Sequence, residues 1–219
     1  MKGDAVKANV LSVQEIPRAD RHLMRALKVP QEYESLGIIT TDIDDVSYAA
    51  LDEATKKARV AVCYAHSMYA GSSNASTRLA GEFIGILAGK DPEEVRSGID
   101  AAVRYIENDA FFYEADNEGG VKYFSHCISR AGSYLSKVAK VKEGSPLAYL
   151  IAPPNEAICG IDAALKAAEV EMKVFYGPPT ETNFAGGLLT GEQSACEEAC
   201  RAFESKVIQV AEYPIKFCT

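Results

Sequence analysis

An internal repeat constrains the fold of this chain more than any other feature of its sequence. The stretch 52–60 matches the stretch 162–170 at an offset of 110 residues, with identical residues at every second position from Asp52/Asp162 to Val60/Val170. These identities fall in order along one continuous passage that reads as a helix followed by a strand. A repeat of this length predicts two similar structural units within one chain.

The repeat continues further along the chain at a shorter offset. Leu87-Ala88-Gly89 resembles Leu189-Thr190-Gly191, and each triplet leads into an amphipathic helix. The first helix has an apolar stripe at helical spacing, formed by Val95, Ile99, Ala102, Val103 and Ile106, and the second has Ala199, Phe203, Val207 and Val210. Asp91 and Pro92 predict the start of the first helix, as an N-cap and a first helical residue.

Each half is predicted as strand, helix, strand, strand, helix, preceded by a further strand and a short helix. The predicted strands are 36–40, 60–64 and 83–87 in the first half and 147–151, 171–176 and 187–189 in the second; the leading elements are 9–16 and 22–27, mirrored by 123–137. We therefore predict an α/β (α+β) fold of two domains, 1–112 and 113–219. Each domain is expected to hold a small, mostly antiparallel sheet flanked by helices.

Charge and composition exclude several classes of function. The 219 residues carry a formal net charge of −8, and 47% of them are hydrophobic. An acidic chain of ordinary globular composition is a poor candidate for binding nucleic acid or an anionic membrane. The sequence has no secretory signal and no apolar stretch long enough to cross a bilayer. The six cysteines are expected to be free thiols in a reducing cytosol, and Cys218 to be exposed.

Several motifs in order resemble the tandem-domain shell proteins of ethanolamine-utilisation bacterial microcompartments, the EutL type. The resemblance covers essentially the whole chain, more loosely before about Pro30. Its motifs are Ser35-Leu36-Gly37-Ile38, Thr41-Asp42-Ile43-Asp44-Asp45-Val46, Asp52-Glu53-Ala54-Thr55-Lys56, Tyr69-Ala70-Gly71, Arg130-Ala131-Gly132-Ser133-Tyr134-Leu135-Ser136, Ile151-Ala152-Pro153-Pro154-Asn155-Glu156-Ala157 and Gly160-Ile161-Asp162-Ala163-Ala164-Leu165-Lys166.

This resemblance implies two circularly permuted microcompartment domains and a homotrimer in the form of a pseudo-hexagonal disc. Such discs tile, with other shell proteins, into the shell that encloses ethanolamine-degrading enzymes. The family has a central pore that opens and closes and smaller acidic pores that bind ethanolamine. The resemblance implies no enzymatic activity and no cofactor, and it places the protein in the microcompartment shell.

The resemblance also assigns residues to the small acidic pores. The matching positions are Asp44, Asp45, Glu82 and Glu156, and converging carboxylates would attract the ammonium group of ethanolamine. We expect the loop ends of the two halves to bring Glu156 towards Asp44 and Asp45. From the residues alone, a simpler interpretation is that Asp44 or Asp45 caps a helix that begins near Ser47 and that Glu82 is a solvated strand residue.

Two segments are candidates for lining or gating the central pore. Phe111, Phe112 and Tyr113 form either a gate at the domain junction or a buried strand that docks the two halves. Thr182, Asn183 and Phe184 belong to a proline-rich loop whose counterpart is 69–74. Gly186 and Gly187 follow that loop, and they are expected either to allow it to move or to end a tight turn.

Metal binding and catalysis find little support in the sequence. Asp42, Asp44 and Asp45 match a calcium loop only in part, and adjacent His126 and Cys127 diverge too much for one chain to use both as zinc ligands. Cys196 and Cys200 share a helix face and are expected to be small apolar fillers. The chain lacks the motifs of common hydrolases and nucleotide-binding enzymes.

Two other functions stay open beside the shell protein. A soluble regulatory module that binds an amine would use the same acidic residues without forming sheets. An enzyme that works through paired carboxylates would turn over an amino alcohol.

Overall fold

The computed structural model describes residues 1–68, 79–178 and 180–215, which form two compact units. The N-terminal unit holds the described residues of Lys7–Ala110 together with Gly132–Lys137. The C-terminal unit holds Met1–Val6, Phe111–Ala131 and the described residues from Val138 onward. Each unit is made of more than one segment of the chain, whereas the predicted domains, 1–112 and 113–219, are each one continuous segment. The division of the two repeats at residue 112 stays a prediction.

The described residues contain ten strands and six helices. In chain order they are β1 (Ala5–Val6), β2 (Val10–Ile16), α1 (Arg21–Ala26), β3 (Ser35–Thr41), α2 (Asp44–Lys57), β4 (Val60–Ser67), β5 (Phe83–Gly89), α3 (Pro92–Asn108), β6 (Phe112–Glu114), β7 (Lys122–Ile128), α4 (Ser133–Ala139), β8 (Leu147–Ala152), α5 (Pro154–Ala167), β9 (Val170–Tyr176), β10 (Ala185–Gly191) and α6 (Gln193–Glu212). The mixed α/β fold with antiparallel sheets is confirmed.

The N-terminal unit is built on a four-stranded antiparallel sheet in the order β2-β3-β5-β4. Helix α3 packs so closely on β3 that a Cβ on Gly37 would lie 2.6 Å from the side chain of Val95. Helix α1 covers the other face, where Met24 packs with Leu36 and other buried residues of β3 and β5. Because strand residues alternate between faces, neighbours such as Leu36 and Gly37 belong to different layers.

The C-terminal unit is built on a six-stranded sheet in the order β1-β6-β7-β8-β10-β9. Its core joins the sheet to α5 and α6, and Phe203 of α6 is fully buried there. Gly160 of α5 permits this contact, since a Cβ at that position would come within 2.6 Å of the Phe203 ring. A small residue at the helix crossing therefore makes room for the largest side chain of the interface.

A shared irregularity shows that the two sheets repeat one design. The pairing of β4 with β5 shifts register between Val62 and Tyr64, so Cys63 has no partner in the ladder. The pairing of β9 with β10 shifts between Met172 and Val174, which leaves out Lys173. Cys63 and Lys173 are 110 residues apart, the offset of the sequence repeat. Such bulges bend a strand and are kept as part of a design.

Two glycines have a different role from the one predicted. Gly186 and Gly187 lie inside strand β10, neither in a turn nor in a hinge. A Cβ on Gly186 would come within 2.7 Å of the Ile151 side chain and closer still to the carbonyl oxygen of Leu150. These glycines therefore serve the close approach of neighbouring strands. Strand β10 is also longer than the predicted segment 187–189.

Candidate functional site

Acidic residues collect at one end of the sheet of the N-terminal unit. Strand β3 ends at Thr41 next to the start of β5 at Phe83, and β4 ends beside the same residue at Ser67. Asp44 and Asp45 form the first turn of α2, and both are buried. Glu82 directly precedes β5, where its backbone N–H donates to Thr41 and its carbonyl accepts from Met68. Three strand ends and a helix start thus bring these side chains to one place.

A chain of hydrogen bonds holds the Asp44 carboxylate in place. Ser67 Oγ donates to Asp44 Oδ2 at 2.7 Å, and Tyr48 OH lies 3.0 Å from Ser67 Oγ. Because the single Ser67 proton points to Asp44, Tyr48 is the donor in the second bond. The backbone N–H of Asp45 also donates to Asp44 Oδ1 at 2.9 Å. Asp44 is therefore a positioned acceptor at the end of a Tyr–Ser–Asp relay.

Burial and mutual repulsion make the cluster electrostatically strained. Burial raises the pKa of Asp44, against the hydrogen bond from Ser67, which lowers it. Burial also raises the pKa of Glu82, and the nearby charges of Asp44 and Asp42 raise it further. The pKa of Tyr48 is raised by burial and by the charges of Asp44 and Asp45, with its Ser67 hydrogen bond acting the other way. A small cation placed among these carboxylates would relieve the repulsion.

Asp42 is held apart from the relay by a different partner. Its two carboxylate oxygens accept from the backbone N–H and the side-chain amide of Asn9, at 2.6 and 2.7 Å. The Asn9 side chain thereby fixes the direction of the Asp42 carboxylate near Glu82. Sequence reasoning found Asp44, Asp45 and Glu82 but missed Ser67, Tyr48 and Asn9. Only Tyr48 had a signal, since it lies one helical turn after Asp44.

The acidic cluster belongs to one repeat and not to both. At the repeat offset of 110, Asp44 corresponds to Pro154, Tyr48 to Ile158 and Ser67 to Gly177. The C-terminal unit therefore lacks every member of the relay. Glu156 lies in the first turn of α5 and corresponds to Val46, which is fully buried. The convergence of Glu156 with Asp44 and Asp45 stays a prediction.

The helix-capping interpretation of Asp44 and Asp45 is wrong. Helix α2 begins at Asp44 itself, and its N-cap residue is Ile43, which makes no side-chain capping bond. The two carboxylates lie inside the first turn, where the helix dipole favours negative charge. The capping predicted for α3 is confirmed, because Asp91 accepts from the backbone N–H of Glu94 at 2.9 Å and Pro92 follows it.

The aromatic segment at the predicted domain junction is part of a sheet. Phe112 lies in β6, is 4% exposed, and packs against Phe124 and Phe184 with ring centroids 5.4 and 5.8 Å apart. This geometry supports the buried-strand interpretation of Phe112. Tyr113 of the same strand packs against the Tyr123 ring. A role for Phe111, Phe112 and Tyr113 in a pore stays a prediction.

The segment from Thr180 to Phe184 forms a tight turn. Thr180 Oγ1 accepts from the Phe184 backbone N–H at 3.1 Å and donates to its carbonyl at 3.0 Å. Asn183 adopts a left-handed conformation with φ of 64°, which asparagine tolerates better than most residues. Thr182, Asn183 and Phe184 are thus presented on a defined turn. The counterpart loop 69–74 lies outside the described residues.

Cys196, Cys200 and His126 pack against neighbouring side chains, which indicates a structural role. Cys196 and Cys200 are buried in the core of the C-terminal unit, as predicted for apolar fillers. His126 stacks on Phe124 with centroids 5.4 Å apart.

Among the described residues, no three His, Cys, Asp or Glu side chains are grouped so that they could hold a metal ion. No described helix has the length and apolar composition to cross a bilayer. Cys218 lies outside the described residues.

This duplicated α/β design is that of the bacterial microcompartment domain, and residues 35–115 match the BMC domain family. The chain is 55% identical to the bacterial microcompartment shell protein EutL of Clostridium perfringens, over 99% of this chain and 100% of the relative. It is 45% identical to EutL of Escherichia coli, with 97% of each chain covered. The crystal structure of EutL from Leptotrichia buccalis superposes with a TM-score of 0.97 at 58% identity, covering 99% of this chain and 100% of that one.

The chain therefore belongs to the EutL family of bacterial microcompartment shell proteins. Its place is the microcompartment shell, as the sequence resemblance implied. The fold expectation of two tandem microcompartment domains is confirmed at the level of the family.

Proposed function

We propose that this protein is a structural, non-enzymatic shell component that assembles as a homotrimer into pseudo-hexagonal discs. The discs tile with other shell proteins around ethanolamine-degrading enzymes. They control the passage of small molecules through a central pore, which opens and closes, and through small acidic pores that bind ethanolamine. The identity to EutL proteins along the whole chain supports the shell role. The turn that carries Thr182, Asn183 and Phe184 is the candidate lining of the central pore.

The acidic cluster of Asp44, Asp45 and Glu82 carries the ligand part of the proposal. Asp44 and Glu82 are partly or fully buried, and the charge of Asp44 raises the pKa of Glu82, so keeping both ionised costs electrostatic free energy. A bound ammonium group would offset that cost. Ethanolamine is such a cation, and its hydroxyl can use the polar relay of Ser67 and Tyr48. Glu156 is proposed as a further acceptor in the same pore.

Isothermal titration calorimetry with ethanolamine tests this site. Asp44→Asn and Glu82→Gln should each weaken binding by roughly tenfold or more, the effect of losing one charged hydrogen bond. Binding should also weaken with added salt, because the attraction is electrostatic. Asp162→Asn is the matched control, since its carboxylate is exposed and paired with Lys166. Unchanged affinity in the double variant Glu82→Gln/Glu156→Gln would exclude the proposed pore.

An amine-binding regulatory module is the second candidate, because it would use the same cluster. Such a module would bind ethanolamine yet stay a small discrete oligomer. Light scattering coupled to size exclusion, followed by negative-stain imaging, separates the two. A mass of three chains of 23.6 kDa with hexagonal discs or sheets supports the shell protein. A monomer or dimer without a lattice supports the module.

A further inference from the structure

A cavity of about 550 Å³ lies beside helix α1 in the N-terminal unit, and it shares no residue with the acidic cluster. Its walls come from the connection between β2 and α1, from α1 itself, and from the segment 29–34 that leads into β3. The buried Met24 and the half-buried Val29 and Tyr33 form its apolar part. Sites for small organic molecules are typically about 300–1,000 Å³, so this cavity is large enough to hold one.

Three arginine side chains line this cavity, which we call the arginine cavity. Arg21 and Arg25 are one helical turn apart on α1 and lie on the same side of it, and Arg18 lies in the connection just before the helix. The whole chain has a formal net charge of −8. Three guanidinium groups within eight residues are therefore a local excess of positive charge, which attracts an anion.

No carboxylate of the described residues lies within ion-pair distance of these three guanidinium groups. Arg25 Nη2 lies 3.2 Å from His22 Nδ1, and Arg25 Nε donates to the carbonyl oxygen of Arg21 at 3.3 Å. These contacts hold the Arg25 side chain along the helix without removing its charge. The cavity thus offers guanidinium donors to an anion that enters it.

Two acidic side chains also line the cavity, and one of them already has a structural role. Asp20 accepts from the backbone N–H of His22 at 2.8 Å and so caps α1. Glu34 is exposed just before β3. Three arginines against two carboxylates leave the lining with a net charge of +1. The arginine cavity therefore favours a ligand of opposite charge to the one that suits the acidic cluster.

Backbone hydrogen bonds hold the walls of the arginine cavity together. The Ala19 N–H donates to the carbonyl oxygen of Glu34 at 2.8 Å, which ties the segment before α1 to the segment before β3. The Val29 N–H donates to the carbonyl oxygen of Met24 at 2.9 Å, where the chain leaves α1. A cavity that is already formed avoids the entropy cost of ordering a loop when a ligand binds.

The equivalent segment of the other repeat shows that the fold does not require these side chains. Strands β2 and β7 begin 112 residues apart, as do the helices α1 and α4 that follow them. Both repeats thus build the same strand and helix, yet position 21 has lost its charge and position 24 its apolar side chain in the second copy. The corresponding pairs are Arg18/Arg130, Arg21/Ser133, Met24/Ser136 and Arg25/Lys137.

From this geometry we propose that the arginine cavity binds a small organic phosphate. Guanidinium groups bind phosphate oxygens through paired hydrogen bonds, and a multiply charged phosphate group is best balanced by more than one cation. The apolar part formed by Met24, Val29 and Tyr33 would receive the organic body of the same molecule. This site is additional to the proposed function, in which a cation binds at the acidic cluster.

Isothermal titration calorimetry with adenosine diphosphate tests the cavity, on the protein as it assembles in solution. Adenosine diphosphate should bind saturably and more weakly in added salt, whereas adenosine, which lacks the phosphates, should not bind. Arg18→Gln/Arg21→Gln should weaken binding by about tenfold or more, because it removes two charged donors. Arg104→Gln is the matched control, since Arg104 is an exposed arginine of α3 outside the cavity. It should bind like the parent protein.

Arg18→Gln alone provides a variant that leaves helix α1 untouched, and it should weaken binding in the same direction. Circular dichroism and the elution volume verify that each variant folds and assembles like the parent. A parent protein that does not bind adenosine diphosphate, or binds adenosine equally well, would overturn the proposal. Unchanged affinity in Arg18→Gln/Arg21→Gln, or an equal loss in Arg104→Gln, would also overturn it. None of these outcomes changes the shell role or the ethanolamine site.

Discussion

The carboxylate of Asp52 accepts a 2.7 Å hydrogen bond from the backbone N–H of Gly132, eighty residues further along the chain. The other oxygen accepts from Leu135 N–H, so one side chain of α2 satisfies two free donors at the start of α4. Asp52 is fully buried, and its partner Lys56 lies 3.8 Å away. A helix start is thus capped by a residue from a distant part of the sequence.

Removing this cap should destabilise the protein strongly. In Asp52→Ala two backbone N–H groups lose their acceptor, and we expect a loss of about 2–4 kcal/mol in the free energy of unfolding. Asp162→Ala is the matched control at the equivalent position of the other repeat, where the carboxylate is exposed. It should change stability by less than about 0.5 kcal/mol. Urea denaturation measures both, and equal losses in the two variants would contradict the capping role.

A methyl group on Gly132 should disturb the same contact. Its Cβ would lie 2.6 Å from the Asp52 carbonyl oxygen and closer still to Thr55 Oγ1. Because the carbonyl is backbone, the helices must move apart, and Gly132→Ala should cost about 1–3 kcal/mol. Gly120→Ala serves as the control, since its Cβ would meet only Asp116 Oδ2 at an ordinary 3.6 Å. If Gly132→Ala unfolds at the same urea concentration as this control, the close approach does not constrain the fold.

The buried Asp44 should give stability a distinct pH dependence. Its pKa in the folded protein is raised above the ordinary 3.8, so the folded state holds the proton more tightly than the unfolded state. Its charge therefore costs stability above the raised pKa, and this cost disappears as the pH falls towards 3.8. Asp44→Asn, which keeps an acceptor for Ser67, should be more stable than the parent at pH 7 and lose that advantage on acidification.

Thermal unfolding of both proteins from pH 7 to pH 4 provides the measurement. An advantage of Asp44→Asn that grows as the pH falls would contradict the sign of the raised pKa.

The thiols of Cys63, which is partly buried, and of Cys200, which is buried, should react slowly in the native protein. Burial raises the pKa of Cys63 to about 11 and that of Cys200 to about 12. At pH 8 roughly one Cys63 in a thousand is then a thiolate, and only the thiolate is nucleophilic. Iodoacetamide labelling followed by peptide mass spectrometry should show both unmodified in the native state and modified in denaturant. Equally fast labelling of Cys200 in the two states would contradict its place in the core.

The elements of the fold were predictable because their signals are local. The start of α3 at Asp91 and Pro92 and the strand that begins at Val60 follow from caps and periodicity within one or two helical turns. The repeat then transferred this pattern to the second half. The two halves correspond even in their β-bulges, which lie at Cys63 in β4 and at the equivalent Lys173 in β9.

The candidate site was predictable only in part. Asp44, Asp45 and Glu82 came from a family resemblance, whereas Ser67, which holds Asp44, had no signal in the sequence. Ser67 and Asp44 are 23 residues apart and meet because two strand ends and a helix start lie at one end of the sheet. A local sequence pattern does not show which side chains from separate elements come into contact there.

The sequence by itself determined the duplication, the α/β class and the family, because hydrophobic periodicity and identical residues in the same order can be read without any tertiary contact. Only the tertiary structure decided that Asp52 is a buried cap while its twin Asp162 stays exposed. It also decided that Met1–Val6 joins the C-terminal unit, where β1 pairs with β6. Equal residues acquire unequal roles because hydrogen bonding and burial depend on neighbours that are distant in the chain.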